Sequence, residues 1–234
     1  MNSQLSTPIK DTHSIDAHTS QALLSVENLT CERSDAPLFS NLSFSLEKSQ
    51  SLRILGPNGS GKTTLIRTIA GIHKPALGQI RWSTGPGNRD NSANKPNIAY
   101  IGHTTGIRGE LTALENLEFY ARMTGNLSGM SPTECLEKLN VAHCSKLPCM
   151  RLSAGQRQRV ALSRLALNQH DLWLLDEPVT SLDDQGIDLL LDLARCHLEA
   201  GGMTIYCSHQ SIHSGFKNDT EIDLRNFKGD HPQC

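Results

Sequence analysis

Ser51-Leu52-Arg53-Ile54-Leu55-Gly56-Pro57-Asn58-Gly59-Ser60-Gly61-Lys62-Thr63-Thr64 decides the fold. The run from Ser51 to Leu55 reads as a strand, and it enters a glycine-rich segment directly. After it, Leu65 and Ile69 stand four apart on one face of a helix predicted from Thr64 to Ala70. Gly56 to Thr63 fits the pattern G-x-x-x-x-G-K-[ST] with a strand before it and a helix after it, which is the context of a phosphate-binding loop. Glycines let backbone N–H groups point into a concavity, and the helix N-terminus adds about half a positive charge. The candidate nucleotide contacts are therefore Gly56, Pro57, Asn58, Gly59, Ser60, Gly61, Lys62, Thr63 and Thr64. Lys62 is expected to reach the β- and γ-phosphates, and Thr63 to ligate Mg²⁺.

Outward from this loop the chain alternates strands with helices. Leu23 to Leu29 alternates loosely, and Leu42 to Leu46 alternates cleanly, as an antiparallel strand does. Gly85 to Asn97 is almost devoid of apolar residues and reads as a surface loop before a short strand, Ile98 to Ile101. From Thr112 to about Leu139 the pattern is helical, opened by Thr112-Ala113-Leu114-Glu115 as a capping box. A further helix starts at Ser153, and Ile187 to Leu198 is another. Asp171 to Leu175 and Met203 to Cys207 read as buried parallel strands. This order predicts an α/β sheet covered on both faces, with the helical stretch from 104 to 165 set apart as a lobe. The core lobe is then expected at 23–103 and 166–230.

The strand Leu172 to Leu175 runs into Asp176-Glu177. An aspartate at the end of such a strand can hold the Mg²⁺ shell, and the adjacent Glu177 is placed to orient or deprotonate a water. Leu152-Ser153-Ala154-Gly155-Gln156 combines a hydroxyl with small residues at a helix start, which suits a second anion site. The same Ser153 also fits as an ordinary N-cap.

The Ser153 segment resembles the L-S-G-G-Q signature of ABC ATPases, with Ala154 in place of the first glycine. Ser181-Leu182-Asp183 resembles the family's D-loop, and His209 resembles its switch histidine. Residues 23 to 228 carry the resemblance. It implies a P-loop NTPase fold with a RecA-like core, an antiparallel β subdomain and an inserted helical lobe. It also implies an ATPase that uses ATP and Mg²⁺. Lys62, Glu177 and His209 would be its catalytic residues, and Ser153, Gly155 and Gln156 would meet the nucleotide of a partner subunit.

Two positions depart from the general pattern. His103 stands where a glutamine is usual, and a neutral imidazole can accept from water or ligate a metal. Arg33 stands where an aromatic residue usually stacks on adenine, and its planar guanidinium can stack instead. Cys31-Glu32-Arg33, the run Gly102 to Leu117 and the run Leu152 to Leu162 together resemble one branch, the haem-exporter ATPases of bacterial cytochrome c maturation. That resemblance implies a head-to-tail homodimer docked on separate integral-membrane subunits at the cytoplasmic face of the bacterial inner membrane. Haem would be exported or released from its chaperone. The alternative is the ATPase of another small-molecule transporter.

Composition narrows the classes. With 22 Lys+Arg against 24 Asp+Glu, the net charge of −2 argues against binding to a nucleic-acid backbone. Aromatic residues at 4% leave little for a stacking platform. The seven cysteines include no C-x-x-C pair, so they read as free thiols of a reducing compartment. His143-Cys144 and Cys149 lack zinc-type spacing. With no C-x-x-C-H, the chain is not itself a c-type cytochrome. No apolar run is long enough to span a bilayer. The polar first 22 residues read as a disordered extension rather than a signal peptide.

Overall fold

The computed structural model of the chain describes residues 23–34, 36–83, 96–125, 128–208 and 219–228. The readings of residues 1–22, of most of the Gly85 to Asn97 loop and of His209 lie outside the described residues. Among the described residues, eight strands form two sheets. The first is antiparallel, in the order β2-β1-β4, from β1 (Leu24–Arg33), β2 (Ala36–Leu46) and β4 (Leu77–Trp82). The second is parallel, in the order β5-β6-β7-β3-β8. Its members are β3 (Ser51–Leu55), β5 (Ile98–Ile101), β6 (Leu172–Asp176), β7 (Met203–Cys207) and β8 (Asp219–Asp223).

The parallel strands β6 and β7 are buried at every position, which explains their unbroken apolar character. Two strands escaped the periodicity reading. In β4, Val26 pairs with Ile80 and Leu24 with Trp82, but Leu77, Gly78 and Gln79 are exposed, so the apolar signal is diluted. The strand β8 is Asp-Thr-Glu-Ile-Asp and is fastened by polar contacts. Ser51 Oγ and Tyr206 Oη donate to the Asp219 carboxylate at 2.9 and 2.6 Å, and Arg53 pairs with Glu221 at 3.2 Å.

The helix α1 (Lys62–Ile69) begins two residues earlier than periodicity placed it, because its first turn is polar loop sequence. The helical stretch after Thr112 is two helices, α2 (Ala113–Thr124) and α3 (Pro132–Lys138). Gly125 at φ 90° ends the first, and Ser131 with Pro132 restarts the second. The capping box at Thr112 and Glu115 forms as expected. Helix α4 (Ala154–Ser163) follows Ser153, and α5 (Asp184–Glu199) follows an Asp183 cap that lies before the first periodic residue. Burial divides into two clusters. One joins the antiparallel sheet to β3 and α1 through Leu24, Phe39, Leu52, Ile54 and Leu65. The other joins helices α2 to α5 to the opposite face of the parallel sheet through Leu117, Leu136, Val160, Trp173 and Leu190.

Candidate nucleotide site

The loop Gly56 to Gly61 leaves the carboxyl end of β3 and delivers Lys62 and Thr63 into the first turn of α1. At Gly61, φ is 101°, and an added Cβ would stand 2.9 Å from the Phe39 ring. A side chain there is excluded by both backbone and space, so the tight entry into α1 requires glycine. Lys62 Nζ donates to the Gly56 and Pro57 carbonyls at 2.8 and 3.2 Å, which holds the ammonium over the loop. Thr63 Oγ1 donates to Asp176 Oδ1 at 3.1 Å, so α1 and the end of β6 meet through their functional side chains.

A cleft of about 420 Å³ lies over this contact. Lys62 and Thr63 line it together with Asp176, Glu177, Arg33 and His103. Residues separated by more than 140 positions in sequence thus share one concavity, at the carboxyl ends of parallel strands where such sheets bind ligands. Asp176 is only 2% exposed, and its Oδ2 has no hydrogen-bond partner among the described residues. Glu177 adopts φ 55°, a left-handed conformation uncommon for a residue with a Cβ and often found at functional sites. Its backbone N–H donates to the Cys207 carbonyl at 3.0 Å. Cys207 Sγ donates to Asp176 Oδ1 at 2.9 Å. Burial, and then the Asp176 carboxylate, push this thiol up from its ordinary pKa, so it remains a donor.

The Ser153 segment lies in a second cleft of about 450 Å³ that shares no lining residue with the first. Ser153 Oγ accepts from Gln156 N at 3.1 Å, and Gln156 Oε1 accepts from Ser153 N at 2.9 Å. Ser153 is thus the N-cap of α4, in a reciprocal capping box with Gln156. Gly155 packs against the Ser181 carbonyl, which lies 2.6 Å from where a Cβ would stand. Ser181 itself has φ 70°. Asp183 caps α5 through Gly186 N at 3.0 Å and forms an ion pair with Arg159 of α4. The hydrogen bond from Arg159 holds the Asp183 carboxyl below its usual range. The Ser153 segment thus shares this cleft with Ser181 and Asp183.

The ABC transporter family profile matches residues 39–180. Curated relatives named cytochrome c biogenesis ATP-binding export protein CcmA align over nearly their whole length. The protein from Escherichia coli is 41% identical over 205 residues, covering 86% of this chain and 96% of that one. The protein from Nitrosococcus oceani is 40% identical over 202 residues, covering 86% and 93%. The chain belongs to the ABC transporter family, among its CcmA proteins. Solved structures agree on the fold. A putative ABC transporter ATP-binding protein from Pyrococcus furiosus superposes with a TM-score of 0.73 at 23% identity, covering 88% of this chain and 99% of that one. A dimeric ATP-binding cassette in a post-hydrolysis state, with ADP and phosphate bound, gives 0.72 at 22% identity, covering 86% and 94%. The chain is an ATP-binding ABC ATPase with the P-loop NTPase fold.

Of the sequence-derived candidates for the phosphate cleft, Asn58, Gly59, Gly61, Lys62, Thr63, Thr64, Asp176 and Glu177 line it, Gly56, Pro57 and Ser60 belong to the loop beneath, and His209 lies outside the described residues. Arg33 and His103, the two departures from the general ABC pattern, both line it. Ser153, Gly155 and Gln156 stand apart in the second cleft. Sequence reading missed Cys207, which it took only as the end of a buried strand, and Thr180, which also lines the first cleft. For Cys207 no motif existed to find; only the strand register places it beside Asp176. Among the described residues no helix is long and apolar enough to cross a membrane.

Proposed function

We propose that this ABC ATPase drives a cytochrome c biogenesis complex, coupling ATP hydrolysis to haem export or to release of haem from its chaperone. The observation that carries the catalytic part is the convergence of Lys62, Thr63, Asp176 and Glu177 on one cleft. The biogenesis part rests on kinship with proteins of that name at about 40% identity. The donor set fits Mg²⁺, because Thr63 and Asp176 offer hard oxygens and Asp176 Oδ2 is buried without a partner among the described residues. When bound, Mg²⁺ offsets charge on the phosphates. Thr63 and Asp176 would hold it, with His103 at the cleft wall as a further ligand, directly or through water.

In this mechanism the Gly56 to Thr64 backbone cradles the phosphates of ATP, and Lys62 exchanges its loop carbonyls for phosphate oxygens. Arg33 stacks on adenine. Glu177 orients the attacking water and takes its proton, assisted by His209 at the γ-phosphate. Ser153, Gly155 and Gln156 complete the site of a second copy, which makes the dimer a two-fold, head-to-tail arrangement. Nucleotide in both sites draws the copies together, and hydrolysis releases them. The core lobe at 23–103 and 166–230 passes this motion to a helical lobe at 104–165, and from there to separate integral-membrane subunits at the cytoplasmic face of the bacterial inner membrane.

A strain deleted for the gene tests this reading when complemented with either wild type or Glu177→Gln and assayed for holocytochrome c by haem staining. Wild type should restore the holoprotein and Glu177→Gln should not. Normal holocytochrome c in the uncomplemented deletion strain would refute the biogenesis role, and full restoration by Glu177→Gln would refute the assignment of Glu177.

A further inference from the structure

In the parallel sheet, the strand that launches the phosphate loop and the strand that ends in Asp176 do not touch, because β7 lies between them. The last residue of β7, Cys207, is in register with Asp176 and fully buried. It makes two contacts to the adjacent carboxylate-bearing residues. Its thiol donates to Asp176 Oδ1 at 2.9 Å, and its carbonyl accepts from Glu177 N at 3.0 Å. Thr63 Oγ1 donates to the same Asp176 oxygen at 3.1 Å. Oδ1 therefore has two donors, whereas the buried Oδ2 has none among the described residues.

We propose that Cys207 is a positioning residue for the metal–nucleotide site, whose thiol fixes the rotation of the Asp176 carboxylate and reserves Oδ2 for Mg²⁺. The proposal rests on the reading of Asp176 as a Mg²⁺ ligand. A thiol is a poor ligand for a hard cation that takes oxygen, so Cys207 acts through the carboxylate rather than on the metal. An apolar side chain at this place removes one of the two donors from Oδ1. The carboxylate can then turn, and its ordering has to be supplied by the metal as it binds. A hydroxyl keeps a donor in place. The carbonyl contact to Glu177 survives any substitution, since it belongs to the backbone, so side-chain variants isolate the thiol.

The test is binding of a fluorescent ATP analogue to the purified full chain across a Mg²⁺ titration, for wild type, Cys207→Val, Cys207→Ser and Asp176→Asn. In EDTA, wild type and the two cysteine variants should bind the analogue alike, because the loop and Lys62 are intact. The Mg²⁺ concentration at half-saturation should rise about tenfold in Cys207→Val, in line with the loss of a partner that orients a metal ligand. Cys207→Ser should return it toward wild type, and Cys207→Ala serves as the donor-free variant if valine disrupts β7. A Mg²⁺ dependence unchanged in both donor-free variants overturns the proposal, as does a serine variant shifted as far as valine. Wild-type Mg²⁺ dependence in Asp176→Asn overturns the metal reading itself and the proposal with it, a result distinct from either cysteine outcome.

Discussion

Replacing Gly155 with alanine tests whether the second cleft works as part of a nucleotide site. The added methyl would stand 2.6 Å from the Ser181 carbonyl oxygen, 0.8 Å inside the 3.4 Å at which ordinary contact begins. The neighbour is backbone and cannot swing aside as a side chain would. Ser181 is already at φ 70°, so its loop has little room to rotate. The start of α4 and the Ser181 to Asp183 segment must therefore separate by most of that distance. Overpacking of this kind costs about 1 to 3 kcal/mol. Alanine also favours the helix by up to about 1 kcal/mol over glycine, which offsets part of the loss. Thermal stability should thus fall only modestly. Activity should fall much further, because misplacing a site group by close to an ångström costs on the order of 100-fold in rate. Neighbouring Ala154 is exposed, which explains why a methyl is accommodated one residue earlier. The assay is phosphate release by the purified chain, alongside binding of a fluorescent ATP analogue and a calorimetric melt. Nucleotide binding to the first cleft should be retained, since the two clefts share no residue. Turnover of Gly155→Ala within a few-fold of wild type would refute the reasoning.

Glu177→Gln should bind ATP with near-wild-type affinity, lose about 100-fold or more of turnover and elute as a dimer when ATP is present; monomeric elution with normal turnover would contradict its role as base. Lys62→Ala removes a charged donor to phosphate and should weaken ATP binding by roughly 10- to 100-fold, readable by isothermal titration, with unchanged affinity as the contrary result. His170 is 7% exposed, and burial, with His197 nearby, lowers its pKa from the ordinary 6.5 to about 4, although Asp171 and the Asn168 backbone oppose the shift. The unfolded chain then takes up this proton below about pH 6.5 while the folded chain does not until near 4, so stability is complete above 6.5 and is lost by up to about 3 kcal/mol as pH falls toward 4. Urea melts at pH 7.5 and 5 should show a shallower loss for His170→Asn than for wild type, and equal slopes would remove His170 as the cause.

What was legible in the sequence followed the burial pattern. The strands β6 and β7 are buried throughout and could be read as apolar runs. The strand β8 could not, because Ser51, Arg53 and Tyr206 hold it through Asp219 and Glu221, and those partners are up to 168 residues away. The phosphate loop, Asp176 and Glu177 were readable because phosphate and metal chemistry restrict residue type at fixed spacing. Cys207 was not, because its contact arises from pairing between β6 and β7, and many side chains can end a buried strand.

Ser153 shows why a motif and a structural cap need not compete. Its hydroxyl and that of Thr112 satisfy the same kind of orphan N–H at a helix start, each in a reciprocal box with the third residue of the helix. What separates them is the surroundings. Thr112 opens an ordinary amphipathic helix, whereas the Ser153 turn faces a cleft shared with Ser181 and Asp183. Gly155 lets that turn approach the Ser181 carbonyl closely, and the Arg159–Asp183 ion pair ties α4 to the start of α5. A cap needs neither the close approach nor the tie. Under the proposed reading, in which this turn presents N–H groups to the phosphate of a second copy, both would keep the segment in shape when no phosphate is there to organise it.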